Sequence, residues 1–524
     1  MPALSTRMRV VDRSPWIVVV LVAAAGCSSG QGTRPNAGTA GHGGGAGAGG
    51  SASLGGAGGT AGATGGTTSM GRGGATPTGG SGGATGGATS GGSGGGSGGM
   101  AAGGGATGGT TQLCSLQRDG APSPAIPTVG IVDWSTDLGG LTSARIEFTL
   151  NDPAADEINR GSGGPIDVAG TQHRALMLGL KPARGYTYRI VATAGGKVCT
   201  SPDRTLTTGA DPDAAKIVLT STRNASAASA PAQGFIVTSD YGAMAAYIFD
   251  ADGDVVWFAD APAASSRARM DWEGQNMWML AVNGNQGGVG KVRRTSLDGT
   301  DVLDDVAGLQ DAHHDLTVLP GGIVATVLWS GESTSASTLV ERSPDGTIKT
   351  VGRIAENVFG TRTSYHANSV AYHVLDDTYT VGDLDSASFV KLTRAGTLLW
   401  RFTSNSLFGN HGHQLLDGGI LVFKARMMPS PVYEYSLTEG PGTVSSFLIW
   451  SYTPTNGLGT TVLGDVQRLP NGNTLITYSE AGEMREISAA GELVRSFQVS
   501  SSTGARRRFG YADFREILYG PPLR

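Results

Sequence analysis

Six glycine turns, spaced almost evenly along the second half of the chain, limit its fold more than any other feature. They stand at Gly253 (FDADGDVVW), Gly299 (TSLDGTDV), Gly346 (RSPDGTIKT), Gly396 (TRAGTLLW), Gly442 (EGPGTVSSFLIW) and Gly491 (SAAGELVRSF), at spacings of 46, 47, 50, 46 and 49 residues. Each lies between two short runs of strand-forming residues, and the repeat is about as long as one propeller blade. In the third unit four strands can be laid out: HDLTVL from His314, IVATVLW from Ile323, TLVERS from Thr338 and TIKTVGRI from Thr347, joined by hairpin turns. Four short strands per unit, with no helical period and no capping repeats, favour a closed ring over a solenoid. Residues 216–524 are therefore expected to form a six-bladed β-propeller.

Ahead of the repeat the character of the chain changes twice. Residues 113–209 carry short alternating runs (ARIEFTL, HRALMLGL, YTYRIVAT, TLTT) that predict an all-β sandwich. Their last third, LKPARGYTYRIVATAGGKVCTSPDRTLTTG, resembles the closing strands of a fibronectin type III domain. Residues 27–112 cannot bury apolar surface: 38 of the 85 glycines fall between Ser28 and Gln112, where aromatics are absent. A random coil of that length spans roughly 50 Å, which makes it a disordered tether. Residues 1–26 read as an export signal, with Arg7, Arg9 and Arg13 before an apolar run from Trp16 to Ala25 that is too short to span a bilayer. The run ends in Ala-Ala-Gly-Cys, so Cys27 is a candidate lipidation site and the chain a candidate lipoprotein of the outer membrane or cell surface. Cys114 and Cys199 are a candidate disulfide, with two free thiols as the alternative. A net charge of -5 leaves no basic stripe for a phosphate backbone, which argues against nucleic acid as a partner.

A second repeat runs inside the first. HHDLTVLPGG (His313–Gly322) returns as NHGHQLLDGG (Asn410–Gly419) and GDVQRLPNGN (Gly464–Asn473), and with a longer turn as YHANSVAYHVLDDT from Tyr365. His314, His366, His411 and Asp465 then occupy one position on four successive blades. The first strand of a blade lies nearest the ring axis, so these side chains are expected to converge at the channel mouth. Six of the eight histidines lie in the propeller, two in each of units three, four and five. An imidazole cluster suits an anionic substrate, because each ring donates hydrogen bonds and a neutral ring can attack an electrophile. Strict alternation places His413 on the same face as His411 and turns His313 away from His314; His373 is expected to be structural. Any one of these residues alone would more often tie blades together. A three-histidine metal centre supplemented by Asp315, Asp383 or Asp465 is conceivable, but no short ligand-spacing motif supports it, and neither a metal nor a cofactor is expected.

With these motifs, and with FVKLTRAGTLLWRF and FGYADFREILYG, the chain resembles the bacterial arylsulfate sulfotransferase family, whose members carry a β-sandwich and a six-bladed propeller. The resemblance implies transfer of a sulfuryl group from an aryl sulfate to a phenol through a sulfohistidine, without a nucleotide cofactor. It maps the nucleophile to His411, and to His314 and His366 the partners that bind sulfate oxygens and serve the two phenols. Two positions depart from the family: its arginine falls at Leu384 (VGDLDSASFVKL), and its FDNG has become FKAR. Arg426 of that segment, or Arg267 and Arg269 in blade 2, are the candidate replacement cations, and Asp465 and His413 candidate substrate contacts. Asp383, if it faced the site, would repel an anion. The alternative is a propeller without turnover that binds a ligand or partner protein at the same mouth. Oligomeric state is not legible.

Overall fold

All six turn glycines adopt a backbone that L side chains avoid, with φ between +69° and +95°. Each closes the hairpin between the last two strands of a separate antiparallel sheet. The structure is a computed structural model and describes residues 112–113, 120–154, 160–163, 166–210, 216–282, 290–329, 337–354 and 366–522. The expected leader, Cys27, the glycine tract and Cys114 lie outside the described residues. The protein is all-β, and residues 218–515 form a β-propeller built on six sheets. In the third sheet the strands are Ala312–Leu319, Ile323–Trp329, Ser337–Arg342 and Ile348–Arg353, paired in chain order.

Both ends of the repeat close the ring. Phe509–Arg515, near the C-terminal end of the chain, supplies the innermost strand of the first sheet by pairing with Phe235–Asp240. Val218–Arg223, at the other end, adds a fifth strand to the sixth sheet alongside Leu493–Ser500. The innermost strands, Phe509–Arg515, Ser265–Met270, Ala312–Leu319, Ala367–His373, Asn410–Leu416 and Asp465–Arg468, then touch in cyclic order. Apolar faces fill the space between neighbouring sheets: Trp400, 1% exposed, packs with Phe389, Leu407 and Tyr435 between the fourth and fifth.

In sheets two to five the innermost strand slips register close to its start, between Ser265 and Arg267, His313 and Leu316, Ala367 and Ser369, and Asn410 and His413. A β-bulge adds residues without a partner and re-aims the side chains beside it. Strict alternation from the strand start, as expected from sequence, therefore does not hold at the residues that matter most.

Residues 121–207 fold as two sheets around one core that includes Trp134, Ile146, Phe148, Met177 and Tyr188. Cys199 of this domain is disulfide-bonded, and both other cysteines lie outside the described residues. The domain is fastened to the propeller: the Lys181 ammonium lies 2.7 Å from Asp250, 2.8 Å from Asp252 and 2.5 Å from Asp254. Around that contact Ile126, Val129 and Leu178 join the apolar cluster of Val237, Ile248 and Trp257. Among the described residues no helix is long and apolar enough to cross a membrane.

Candidate functional site: an imidazole cluster at the strand starts

Four histidines meet where the innermost strands of sheets three, four and five begin. His314 and His366 have ring centroids 4.7 Å apart with their Nε2 atoms at 3.3 Å, and the His411 ring lies 6.2 Å from His314. Of the three imidazoles expected to converge, His314 stands beside both others. His313 joins them, which corrects the expectation that it points away: its ring centroid is 3.9 Å from His314 and 5.3 Å from His366. The cause is the bulge, where His314 takes φ +58° and the two neighbouring side chains turn to the same side. Left-handed backbone at a non-glycine costs about 1–2 kcal/mol, and such strain gathers at functional positions. Trp329, at the end of the next strand, covers the group with its ring 4.5 Å from His313 and 5.9 Å from His366. Neither His313 nor Trp329 was identified from sequence; the HH doublet at a strand start was the available signal.

Backbone ties hold the cluster. The His366 N–H donates to Asp383 Oδ2 at 2.7 Å, and the Ser386 N–H donates to Oδ1 at 2.7 Å. Asp383 thus serves as a loop brace, its two carboxylate oxygens each taken up by a backbone N–H. Leu384 is fully buried and donates its N–H to the His366 carbonyl, so the position where an arginine was expected supplies no cation. Asn368 Nδ2 donates to the Asn410 carbonyl and Asn410 Nδ2 to that of Asp383, which locks the fourth and fifth strand starts together. His411 Nδ1 lies 3.5 Å from the Gly409 carbonyl. With its proton there, Nε2 carries the lone pair.

Burial holds the imidazoles neutral. It pushes His313 and His411 down to about 3, in both cases helped by the neighbouring His366. His314 and His366 are lowered for the same first reason, His366 being partly held up by Asp385 and Asp383. Arg426, exposed on the loop after Gly419–Lys424, is close enough for its charge to lower His314, His366 and His411 as well. Of the cations considered from sequence it is the one beside the cluster.

The other expected contacts sit further along the same strands and are occupied. Arg267 grips Asp315 through Nε (2.6 Å) and Nη2 (3.2 Å), reaches Asp465 (3.2 Å) and the Ala512 carbonyl (3.1 Å) through Nη1, and stacks 4.5 Å from the Tyr511 ring. Asp465 also accepts the N–H groups of Val466 and Ala512, and burial, partly offset by Arg267, pushes its carboxyl up to about 6. Arg269 donates to the Leu316 carbonyl and lies 3.7 Å from Asp513. His413, turned off the His411 face by its own bulge, bonds Ser369 Oγ at 2.8 Å and Thr380 Oγ1 at 2.7 Å. Thr380 passes the chain on to His373 at 2.8 Å. Arg267, Arg269, His413 and Asp465 all line a cavity of about 550 Å³ that none of the four clustered histidines lines. This corrects their assignment to the histidine site.

One ring nitrogen from each of His313, His314 and His366 lies within 4.8 Å of the other two. The cluster as a whole offers neutral lone pairs, N–H donors and one adjacent guanidinium, a set fit for nucleophilic attack and for anion or metal binding.

No protein-family model matches the sequence, and no curated protein does either. Among solved structures the chain is similar to a streptogramin B lyase (13% identity, 57% of this chain and 98% of that one, TM-score 0.37) and to virginiamycin B lyase from Staphylococcus aureus (10%, 53% and 88%, TM-score 0.36). It is also similar to a periplasmic gluconolactonase from Pseudomonas aeruginosa, at 10% identity over 70% of this chain and 99% of that one, with a TM-score of 0.32.

Proposed function

We propose that the protein is a sulfotransferase that moves a sulfuryl group from an aryl sulfate to a phenol through a sulfohistidine at His411, with no nucleotide donor. The observation that supports this is the placing of the His314 ring 4.7 Å from His366 and 6.2 Å from His411, beside Arg426. In the first half-reaction the His411 Nε2 lone pair forms a bond to sulfur as the sulfur–phenol oxygen bond breaks. An imidazole N–H of His314 or His366 hydrogen-bonds the departing phenolate oxygen, whose conjugate acid has a pKa near 10. In the second, the acceptor phenol gives its proton to the lone pair of a neutral His314 or His366, its oxygen bonds sulfur, the N–S bond opens, and the imidazolium formed passes the proton through solvent to the first phenolate. Neutral imidazoles suit both roles at pH 7, as His411 then holds a free electron pair for sulfur and its partners one for the acceptor's proton. Arg426 supplies the positive charge for the sulfuryl oxygens.

On this reading the six sheets are the blades of a six-bladed propeller and the two-sheet domain is a fibronectin III-like spacer. The chain is exported and lipid-anchored through Cys27, and Cys114 is the partner of Cys199. The buried Leu384 favours a second reading, a propeller that binds an anionic ligand without turnover. Intact-protein mass after exposure to a chromogenic aryl sulfate separates the two: one added sulfuryl group per chain supports transfer. Retained ligand binding with no covalent gain supports the second reading.

A further inference from the structure

We propose that His313, His314 and His366 form a three-histidine site for a divalent transition metal of the zinc class. Two ligands at about 2.0–2.1 Å from a tetrahedral zinc stand about 3.3–3.4 Å apart, and the Nε2 atoms of His314 and His366 are 3.3 Å apart. The third histidine falls within the same reach. One N–H···N bond can account for the contact of His366 with His314, but not for that of His314 with His313. His314 Nδ1 lies 2.8 Å from Nδ1 and 2.9 Å from Nε2 of His313, and no single N–H···N bond is aimed at both nitrogens of a ring. Three neutral imidazoles drawn this close, with no carboxylate among them, oppose lone pairs that a cation would gather.

The surroundings match a ligand shell. His313 Nδ1 faces the Ala367 carbonyl at 3.4 Å, a contact that, with the proton on Nδ1, leaves Nε2 as the donor atom. The backbone of His366 is braced by Asp383 and Leu384 on either side. His314 is held in left-handed backbone by the bulge, a distortion that serves no pairing within the sheet. An all-imidazole donor set selects zinc, copper or nickel over magnesium or calcium, which prefer oxygen. Three protein ligands leave a fourth position open, as in catalytic rather than structural zinc sites. The metal site does not depend on sulfuryl transfer. If both hold, the cation takes the place of the arginine absent at Leu384 and meets the sulfuryl oxygens.

The test is to strip the full chain with a chelator and titrate it with zinc and with cobalt, following heat and the visible spectrum. One ion per chain is expected, with the bands of tetrahedral cobalt. His314→Asn and His366→Gln should each weaken binding by about tenfold or more, whereas His373→Gln, beside the other cavity, should not. Circular dichroism checks each variant, and His366→Gln decides if His314→Asn fails to fold. A folded chain that takes up no stoichiometric metal, or binds it equally well in both variants, would overturn the site. Sulfohistidine formed on a chain that binds no metal removes the metal proposal alone. Metal bound to a chain that never gains a sulfuryl group removes the transfer reading alone.

Discussion

The imidazole cluster and the cavity around Arg267 are built on the same innermost strands, a few residues apart, yet they treat buried polarity in opposite ways. Around Arg267 every charge has a counter-charge: Asp315 grips it twice, Asp465 caps it, and Tyr511 covers its face. At the strand starts four neutral bases crowd together, one of them on strained backbone. A closed network binds sheets together and has little left to offer a substrate. An open set of lone pairs does the reverse, so the proposed chemistry falls to the cluster and the stability to the network.

The sharpest way to break that division is to exchange the losses. On the proposed sulfuryl transfer, His411→Asn should abolish the sulfohistidine and lower turnover by about 10⁴-fold or more, the scale of removing a nucleophile, with a melting curve close to wild type. Unfolding at pH 7 against transfer from an aryl sulfate checks both at once.

Acid should come next in size. His313, His411 and His413 sit at about 3 and His373 at about 4, all pushed down first by burial. Between pH 6.5 and about 4 the unfolded chain binds protons at these residues and the folded chain does not, so stability falls as the pH falls. Asp250 and Asp465, raised by burial to about 6, act with the opposite sign between about pH 6 and 4. The net loss from pH 7 to pH 5 should be on the order of 5 kcal/mol, read from urea midpoints; a protein no weaker at pH 5 would show that the imidazoles are not buried neutral.

Asp465→Ala should then cost about 3 kcal/mol in the same assay, since it strips Arg267 of a partner while leaving the guanidinium buried. The His411 label should survive that change in the fraction that remains folded. The smallest effect sharpens the contrast most: His314→Asn should raise stability by about 0.5 kcal/mol, because asparagine tolerates left-handed backbone, while transfer drops. Loss of stability there would mean that the His314 ring packs as a structural element.

Much of the layout is legible in residue order because it is local. A glycine with positive φ between two strand-forming runs makes a hairpin wherever it occurs, so the turns at Gly253 through Gly491 mark the last hairpin of each sheet. The shared offset of His314, His411 and Asp465 from the following turn, with His366 matched through a longer turn, placed them at equivalent strand starts. Arg267 and Asp465 were legible only as a cation and an anion near strand starts. That they neutralise each other across 198 residues is a property of the ring.

The sequence by itself therefore determined the strands, the turns that pair them and the histidines that begin them, since these depend on backbone preference and on periodicities of a few residues. The tertiary structure decided which side chains face one another. Bulges in the third and fifth sheets brought His313 into the cluster and turned His413 out of it, and ring closure gave Arg267 its carboxylates. The physical reason is that residues inserted in a bulge interrupt the alternation of facing along the strand: two of them in the third sheet, between His313 and Leu316, and one in the fifth, between Asn410 and His413.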